Sequence, residues 1–268
     1  MPLEKKQNII LQGPPGVGKT FMAQRMAYAL MGVKDKDRVR LIQFHQSYSY
    51  EEFVQGYRPT DEGGFKIKNG VFYNFCQQAR NNPDDPHVFI IDEINRGNLS
   101  KIFGELLMLI EADKRSEDYA VTLSYADENS PQFHVPKNLY IIGMMNTADR
   151  SLAIVDYALR RRFSFFDLKP EFDSDGFDEH LANKGVSASL IKKVISRLTH
   201  LNDQITKDTS SLGPGYCIGH SFFAPTAEGT YDEKWYRHII EYEIAPLLRE
   251  YWFDRLEHAE KATTDLLR

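Results

Sequence analysis

Eight residues near the start of the chain have the types and spacing needed to hold phosphate groups. Residues 13–20 read GPPGVGKT, which matches the pattern GxxxxGK[ST] in full, between a predicted strand (Asn8 to Gln12) and a predicted helix (Thr20 to Met31). Glycines let backbone N–H groups turn toward phosphate oxygens, and a helix N-terminus adds partial positive charge. We therefore expect Lys19 to contact the β- and γ-phosphates of a nucleotide and the Thr20 hydroxyl to bind Mg²⁺. The other residues expected around the phosphates are Gly13, Pro14, Pro15, Gly16, Val17 and Gly18.

Two carboxylates follow a second apolar run. Residues 87–95 read HVFIIDEIN, so a buried strand would deliver Asp92 and Glu93 to its carboxyl end. Carboxylate oxygens suit Mg²⁺, which predicts that Asp92 takes part in the metal's coordination shell. Glu93 is predicted to polarise the attacking water as a general base. A helix cap is the alternative role for such a pair.

A third strand, Leu139 to Met145, ends in the polar residues Asn146-Thr147-Ala148-Asp149. Asn146 is placed to hydrogen-bond a γ-phosphate or the attacking water. The Asn-x-x-Asp spacing is also the one by which Ras-type GTPases read guanine, but a position at the phosphate end of the sheet favours a turn or a water-positioning role. An Asx turn that caps the next helix is the structural alternative.

Three consecutive arginines, residues 160–162, end a predicted helix over residues 151–161. Cations are favourable at a helix C-terminus, but three in a row exceed that need. Guanidinium groups stabilise the charge of a transferring phosphoryl group, and their distance from the phosphate loop suggests delivery to a neighbouring subunit's nucleotide. Arg96, four residues after Asp92, either joins them or is a surface residue.

Strands and helices alternate over the first two-thirds of the chain, which predicts an α/β fold with a mostly parallel sheet. We predict that the first helix carries Met22, Met26 and Ala29 on one face, and that the residues from Leu99 to Ile110 form a helical apolar stripe. Other predicted elements are a strand from Arg38 to Phe44, a hairpin turning at Asn69-Gly70 within residues 65–72, a helix over 74–81, a hairpin over 120–135 with a tip at 127–130, and a fifth strand over 163–168.

Helical patterns dominate beyond Lys169-Pro170. One amphipathic helix covers Leu190 to Leu201, and another runs from Ile239 to Tyr251 with a bend or break at Pro246. We therefore predict an α/β nucleotide-binding core at 1–169 and an all-helical domain at 170–268. The aromatic-rich stretch from Phe44 to Tyr57 is expected to pack in the core, with a pore-facing or partner-facing surface as the alternative.

Composition excludes several classes of protein. The 268 residues carry a formal net charge of −5, which argues against a strongly basic nucleic-acid reader. The two cysteines, Cys76 and Cys217, form no CxxC pair, which excludes a zinc knuckle or a disulfide framework and predicts buried thiols. The sequence shows neither a membrane-length apolar run nor a signal peptide, so we expect a cytoplasmic protein.

Together these motifs resemble an AAA+ P-loop NTPase core followed by a helical lid. Four stretches resemble the McrB family more narrowly: QFHQSYSYEEFVQGYRP (43–59), FIIDEINRGNLSKIFGELLMLIEADKR (89–115), MMNTADRSLAIVDYALRRRF (144–163) and GYCIGHSFF (215–223). This family supplies the GTP-driven motor of modified-cytosine restriction systems. The resemblance implies GTP with Mg²⁺, a hexameric ring with nucleotide between subunits, and a McrC-like endonuclease partner that stimulates hydrolysis.

The resemblance also implies residue roles. Asn146 with Asp149 would orient the catalytic water, and Arg161 and Arg162 match the trans-acting arginines, with Arg96 a weaker candidate. Few residues precede the first strand, so we expect the family's DNA-reading domain, and direct recognition of modified bases, to be absent from this chain. Many AAA+ lids offer an arginine to the γ-phosphate. Here His220 either contacts nucleotide or is structural. The alternative activity is that of an ATP-dependent, MoxR-like remodelling protein.

Overall fold

Five strands form one sheet in the order β2-β5-β6-β1-β7 in the computed structural model, which describes residues 6–61, 63–127, 130–149 and 157–268. The strands are β1 (Asn8–Gly13), β2 (Val39–Gln43), β5 (His87–Asp92), β6 (Leu139–Asn146) and β7 (Ser164–Asp167). A separate two-stranded ribbon consists of β3 (Gln55–Thr60) and β4 (Gly64–Asn69).

The central strands of the sheet run parallel. Strand β5 pairs in parallel with β2 on one side, where Gln43 lies opposite Asp92, and with β6 on the other, where Ile91 lies opposite Gly143. Strands β1 and β5 are buried almost along their length, which explains why their sequences are near-continuous apolar runs. The carboxyl ends of parallel strands meet at one edge of a sheet, so the polar residues after β5 and β6 share that edge.

Six α-helices and three 3₁₀ turns accompany the sheet in the described part of the first two-thirds of the chain. The α-helices are α1 (Lys19–Met31), α2 (Tyr50–Phe53), α3 (Val71–Asn81), α4 (Leu99–Phe103), α5 (Leu106–Leu109) and α6 (Tyr157–Arg162), and a 3₁₀ turn covers Ile94–Arg96. Helix α1 buries Ala23 and Ala27, whereas Met22 is 41% exposed. The buried residues of α1 are therefore not those of the face that carries Met22, Met26 and Ala29.

The apolar stripe from Leu99 to Ile110 does not form one helix. Gly104 separates α4 from α5 and has φ +51°, a backbone conformation that L side chains rarely adopt. A Cβ on Gly104 would lie 3.0 Å from the Tyr50 ring. The helical stripe was predicted correctly, and both short helices bury residues of it, although Met108 is 38% exposed.

The ribbon corrects the prediction of a hairpin turn at Asn69-Gly70. Strand β4 pairs with the preceding strand β3, and the last pair of that ladder joins Thr60 to Gly64, next to Gly63 with φ +74°. Gly70 instead precedes helix α3 with φ −79°, and a Cβ there would lie 2.4 Å from the carbonyl carbon of Phe53. Gly70 is needed here because the backbone passes close to Phe53. The sequence pattern alone cannot distinguish this role from that of a turn residue.

The predicted hairpin over residues 120–135 reduces to one antiparallel bridge between Val121 and Phe133. Part of its predicted tip, residues 128–129, lies outside the described residues. Leu123, Phe133 and Val135 are nevertheless buried in the core beside the sheet, so the segment is fixed by side-chain packing rather than by a ladder.

Helices form the rest of the chain. They are α7 (Asp175–Asn183), α8 (Ala188–Lys207), α9 (Glu233–Ile239), α10 (Ala245–Tyr251) and α11 (Leu256–Leu267), with 3₁₀ turns at Pro214–Tyr216 and His220–Phe223. A π-helical turn, Ile240–Ile244, joins α9 to α10 just before Pro246. The predicted irregularity near Pro246 is confirmed, since proline cannot donate the backbone hydrogen bond of a regular helix.

The chain divides into two compact units, each with its own apolar core. The first comprises the described residues of 1–12, 20–145 and 149–166, and the second comprises 13–19, 146–148 and 167–268. Cys76 and Cys217 are buried free thiols, as predicted. Among the described residues no helix is long and apolar enough to cross a membrane.

Candidate functional site

The glycine-rich loop has the backbone of a phosphate cradle. Gly16 and Gly18 have φ +77° and +76°, so both positions require a residue without a Cβ. The Lys19 ammonium donates hydrogen bonds of 2.9 Å to the carbonyl oxygens of Gly13 and Pro14, which holds it across the loop. Thr20 follows in the first turn of α1 with an exposed side chain.

A segment of the helical unit lies directly against this loop. The Gly219 amide donates to the carbonyl of Pro15 at 3.0 Å, and the Ser221 amide donates to the carbonyl of Gly16 at 2.8 Å. A Cβ on Gly219 would lie 1.9 Å from the carbonyl carbon of Gly16. Gly219 is therefore a residue on which the loop depends and which the sequence patterns missed, because nothing in GYCIGHSFF predicts backbone contact with residues 13–20.

His220 belongs to the same segment but is occupied within it. Its Nδ1 accepts a hydrogen bond from the Glu171 amide at 3.1 Å, and its ring lies edge-on to the rings of Phe172 and Phe177. Burial lowers the pKa of His220, which favours the neutral ring that this acceptor role requires. These contacts are the ones expected if His220 is a structural residue rather than a nucleotide contact.

The acidic residues after β5 sit on an unusual backbone. Glu93 has φ +51° and ψ +44°, a left-handed conformation that is rare for a residue with a side chain. Its amide donates to Asp92 Oδ1 at 3.0 Å, and the Asp92 carbonyl accepts from the Phe44 amide at 2.9 Å. Strained backbone of this kind is concentrated at functional sites, where surrounding contacts enforce it.

Arg96 joins two of the predicted catalytic residues. Its Nε lies 3.1 Å from Glu93 Oε2, and its second terminal nitrogen lies 3.0 Å from Asp149 Oδ2. The hydrogen bond with Glu93 is the main cause that raises the pKa of Arg96 above its ordinary value. The sequence listed Arg96 as a weak candidate for a trans-acting arginine, but here it holds carboxylates of its own chain.

The Asn146 side chain forms an Asx turn, which was the structural alternative to a water-positioning role. Its side-chain oxygen accepts the Ala148 amide at 3.1 Å, and the neighbouring Thr147 hydroxyl donates to the Gly215 carbonyl at 3.0 Å. The Asx turn carries the chain from β6 to Asp149, and so to the carboxylate that Arg96 holds.

The three arginines at the end of α6 differ from one another. Arg162 pairs with Glu111 at 2.9 Å, whereas Arg160 lies over the Phe165 ring at 5.7 Å. Arg161 is exposed and has no side-chain partner among the described residues. Arg150 and residues 151–156, the first part of the predicted helix, lie outside the described residues.

A buried polar cluster beneath α6 was not predicted. The Asn8 side-chain amide donates to the carbonyls of Ile110 and Arg162 at 2.8 and 3.1 Å, and its oxygen accepts from Arg115. Arg115 also donates to the carbonyls of Ile110 and Leu139, and burial lowers its pKa to about 10. The cluster ties the end of α6 to the start of β1, and no sequence pattern distinguishes Arg115 from a surface arginine.

Comparison with known proteins agrees with this architecture. Residues 8–163 match the AAA domain of the dynein-related subfamily, and residues 193–260 match the alpha-helical lid domain of McrB. The chain is 55% identical over 98% of its length to the type IV methyl-directed restriction enzyme EcoKMcrB subunit of Escherichia coli K12. It is 29% identical over 59% of its length to the type II restriction enzyme BsuMI component YdiS of Bacillus subtilis.

The chain spans about half the length of these curated relatives, 57% of the Escherichia coli protein and 56% of the Bacillus protein. A solved putative ATPase from Cytophaga hutchinsonii aligns with 76% of this chain and 59% of its own at 13% identity and a TM-score of 0.40, a likeness too low to carry an argument. The match over residues 8–163 covers more than half of the chain, and the chain therefore belongs to the AAA domain family, with a lid of the McrB type.

Proposed function

We propose that this chain is a Mg²⁺-dependent GTPase, the motor part of a restriction system. The observation that carries the proposal is the loop over residues 13–20, in which left-handed Gly16 and Gly18 precede the Lys19–Thr20 start of α1. The identity to a restriction-enzyme subunit over almost the whole chain supports the choice of system. We keep the nucleotide-binding core at 1–169 and the lid at 170–268.

The loop binds the phosphate groups of the nucleotide, and the acidic strand end contributes to binding of Mg²⁺. Lys19 contacts the β- and γ-phosphate oxygens, and the loop amides bind the remaining charge. The Thr20 hydroxyl and the Asp92 carboxylate are hard oxygen donors of the kind that Mg²⁺ prefers, and the exposed Thr20 side chain suits this role. When bound, Mg²⁺ neutralises charge that develops on the phosphate oxygens.

Hydrolysis then needs one proton transfer. Water attacks the γ-phosphorus, its proton passes to the Glu93 carboxylate, and the bond to the β-phosphate oxygen breaks to release GDP. Arg96 fixes the Glu93 carboxylate, and Asn146 with Asp149 orients the water. Arg161 and Arg162 are the proposed arginines for a neighbouring subunit's nucleotide, and His220 remains a proposed nucleotide contact.

The proposed wider assembly follows from the resemblance to the McrB family. The proposed chain forms a hexameric ring in the cytoplasm and activates a McrC-like endonuclease subunit that cuts DNA containing modified cytosine. The Escherichia coli relative is itself named as a subunit of a methyl-directed restriction enzyme, which supports an assembly with other subunits.

Binding of slowly hydrolysed GTP and ATP analogues with Mg²⁺ tests the proposal, with oligomer mass followed in the same titration. We expect ring assembly with the GTP analogue and roughly 100-fold weaker binding of the ATP analogue, a difference of about 2.7 kcal/mol. Equal or stronger binding of the ATP analogue would contradict GTP specificity and favour a MoxR-like remodelling ATPase.

A further inference from the structure

The ribbon of strands β3 and β4 has two chemically different faces. In its antiparallel register Tyr57 lies opposite Ile67, and Pro59 lies opposite Phe65. Side chains alternate between the faces of a strand, so these four residues share one face, which we call the apolar ribbon face. The opposite face carries Arg58, Lys66 and Lys68 and has no carboxylate from either strand.

The apolar ribbon face is exposed. Phe65 is 75% exposed, Tyr57 is 53% exposed and Ile67 is 38% exposed. At the base of this face the Tyr57 ring meets the Tyr125 ring at 5.6 Å. Contiguous exposed apolar side chains with polar neighbours are typical of protein interaction sites rather than of ordinary surface.

The basic face carries an unfavourable arrangement within the isolated chain. Arg58 lies directly opposite Lys66, and Lys68 is the next residue of β4 on that face. Like charges directly opposite one another destabilise a strand pair. None of the three cations forms a salt bridge within residues 6–61, 63–127, 130–149 and 157–268, although the charge of Arg58 contributes to the lowered pKa of Glu51. An acidic surface of another molecule would relieve this repulsion.

The separation of the two faces favours a protein over a nucleic acid. Surfaces that bind single strands place aromatic rings beside cations along one groove, so that bases stack while phosphates are neutralised. Here the cations lie on the face opposite the rings, and the apolar face includes the aliphatic residues Pro59 and Ile67. Aromatic and aliphatic side chains grouped without charge are the pattern of an interface core between proteins.

The ribbon is held firmly at its base. The Gly70 amide donates to the Val54 carbonyl at 2.7 Å, and Cβ atoms on Gly56 and Gly70 would collide with Glu51 and Phe53. Helix α2, which leads into the ribbon, is held in turn by a 2.6 Å hydrogen bond from the Tyr50 hydroxyl to Glu105. A surface presented rigidly loses little conformational freedom when it binds.

The Glu105 contact also ties the ribbon to the acidic strand end. Glu105 follows α4, which begins three residues after Arg96, the residue that holds Glu93. The Glu105 carboxylate additionally accepts the Ser124 amide at 2.9 Å. The hydrogen bond from Tyr50 to Glu105 thus connects the helix that leads into the ribbon with the segment that follows the proposed general base.

From these observations we infer that the ribbon inserts into a cleft of the partner endonuclease subunit, which has one apolar wall and one wall of carboxylates. Tyr57, Pro59, Phe65 and Ile67 meet the apolar wall, and Arg58, Lys66 and Lys68 meet the carboxylates. The identity of the partner rests on the proposed function. The docking surface itself rests on the exposure and charge of the ribbon.

Binding of the purified endonuclease subunit to the full chain, with the GTP analogue present, tests this inference. The variants are the double substitution Phe65→Ser with Ile67→Thr and the double substitution Lys66→Glu with Lys68→Glu. Matched controls are Phe253→Ser, a lid residue that is 77% exposed, and Lys192→Glu with Lys261→Glu, two exposed lid cations. Thermal unfolding and basal GTP hydrolysis are measured for every variant.

We expect each ribbon variant to weaken partner binding by roughly tenfold or more, as for central interface residues, and to leave basal hydrolysis unchanged. The controls should bind within about twofold of the unsubstituted chain. If the apolar variant unfolds, partner binding by the charge-reversal variant tests the inference instead, because both of its substitutions are at exposed positions.

Unchanged partner binding by folded ribbon variants would overturn the inference. Loss of self-assembly or of duplex DNA binding, with partner binding intact, would also overturn it and assign the ribbon to a second copy or to DNA. If the unsubstituted chain does not bind the endonuclease subunit, the partner in the proposed function fails as well, whereas the GTP titration is unaffected.

Discussion

The Arg96 guanidinium lies 3.1 Å from the carboxylate of Glu93, and the same guanidinium lies 3.0 Å from Asp149. One side chain thereby links the residue after strand β5 to the turn after strand β6. Because Glu93 also has a left-handed backbone, both its main chain and its side chain are held in place. This makes Arg96 a positioning residue for the proposed general base.

Substitution Arg96→Lys should separate positioning from charge. Lysine keeps the positive charge but lacks the planar fork that contacts two carboxylates at once. We expect turnover to fall about tenfold or more while nucleotide affinity changes little. Single-turnover hydrolysis and analogue binding measure the two effects. Equal turnover in Arg96→Lys and the unsubstituted chain would show that the bridge has no role in hydrolysis.

Substitution Glu93→Gln should abolish steady-state turnover and retain nucleotide binding, because the amide cannot accept the proton from the attacking water. A loss on the order of 10²–10⁴-fold is typical of removing a general base. Substitution Lys19→Ala should instead weaken binding, since it removes a charge that contacts phosphate. Normal hydrolysis by Glu93→Gln would contradict the assignment of the base.

Arg161 and Arg162 should behave differently. We expect Arg161→Ala to be inactive alone, yet active when mixed with Glu93→Gln, because a ring containing both has interfaces with an intact base and an intact arginine. Arg162 pairs with Glu111, so Arg162→Ala should lower stability by roughly 1–3 kcal/mol. Denaturant unfolding and mixed-subunit assays measure these outcomes, and a mixture that stays inactive would argue against action in trans.

Acid should weaken the helical unit through Asp208. Its carboxylate accepts hydrogen bonds from Trp252 and Arg255, at 2.8 and 2.5 Å, and these lower its pKa to about 2, with the Trp252 bond the largest cause. A lowered pKa in the folded state stabilises the fold at neutral pH, and this stabilisation is lost as the pH falls from about 4 toward 2.

The thermal midpoint of Asp208→Asn should therefore lie below that of the unsubstituted chain at pH 7, and the two should converge near pH 2. Asp254→Asn is the control, since Asp254 is exposed and lies 3.8 Å from Arg255. A gap between the Asp208→Asn and unsubstituted midpoints that does not change with pH would rule out this role for the carboxylate.

Substitution Gly219→Ala should disturb the phosphate loop, because the added Cβ would lie 1.9 Å from the Gly16 carbonyl carbon. We expect weaker nucleotide binding together with a lower thermal midpoint. Gly176→Ala is the matched control, because a Cβ there meets nothing within 4 Å and alanine favours the helix. Equal nucleotide affinity in the two variants would show that the 219–221 contacts do not support the loop.

Sequence reasoning failed where the role of a residue depends on a close approach of two backbone segments, or on which side chains it meets in the fold. Gly70 was read as a turn residue, but its role is to let the backbone pass Phe53. Arg96 was read as a surface or trans-acting residue, because neither periodicity nor spacing indicates which carboxylates a side chain meets. Helical periodicity placed Met22, Met26 and Ala29 on one face of α1, but it does not decide which face is buried, and the buried residues are Ala23 and Ala27.

Features that depend on residues close together along the chain could be predicted from the amino-acid sequence alone. These are the phosphate loop at residues 13–20, the buried strand that ends at Asp92, the alternation of strands and helices, and the irregular helix before Pro246. Each follows from local backbone preferences and from apolar periodicity along a few turns or one strand. The three-dimensional packing was needed to show that Arg96 joins Glu93 to Asp149, that Gly219 lies against Gly16, and that the ribbon leaves Phe65 exposed. These contacts join segments that are distant along the chain, and their energies depend on which side chains packing brings together.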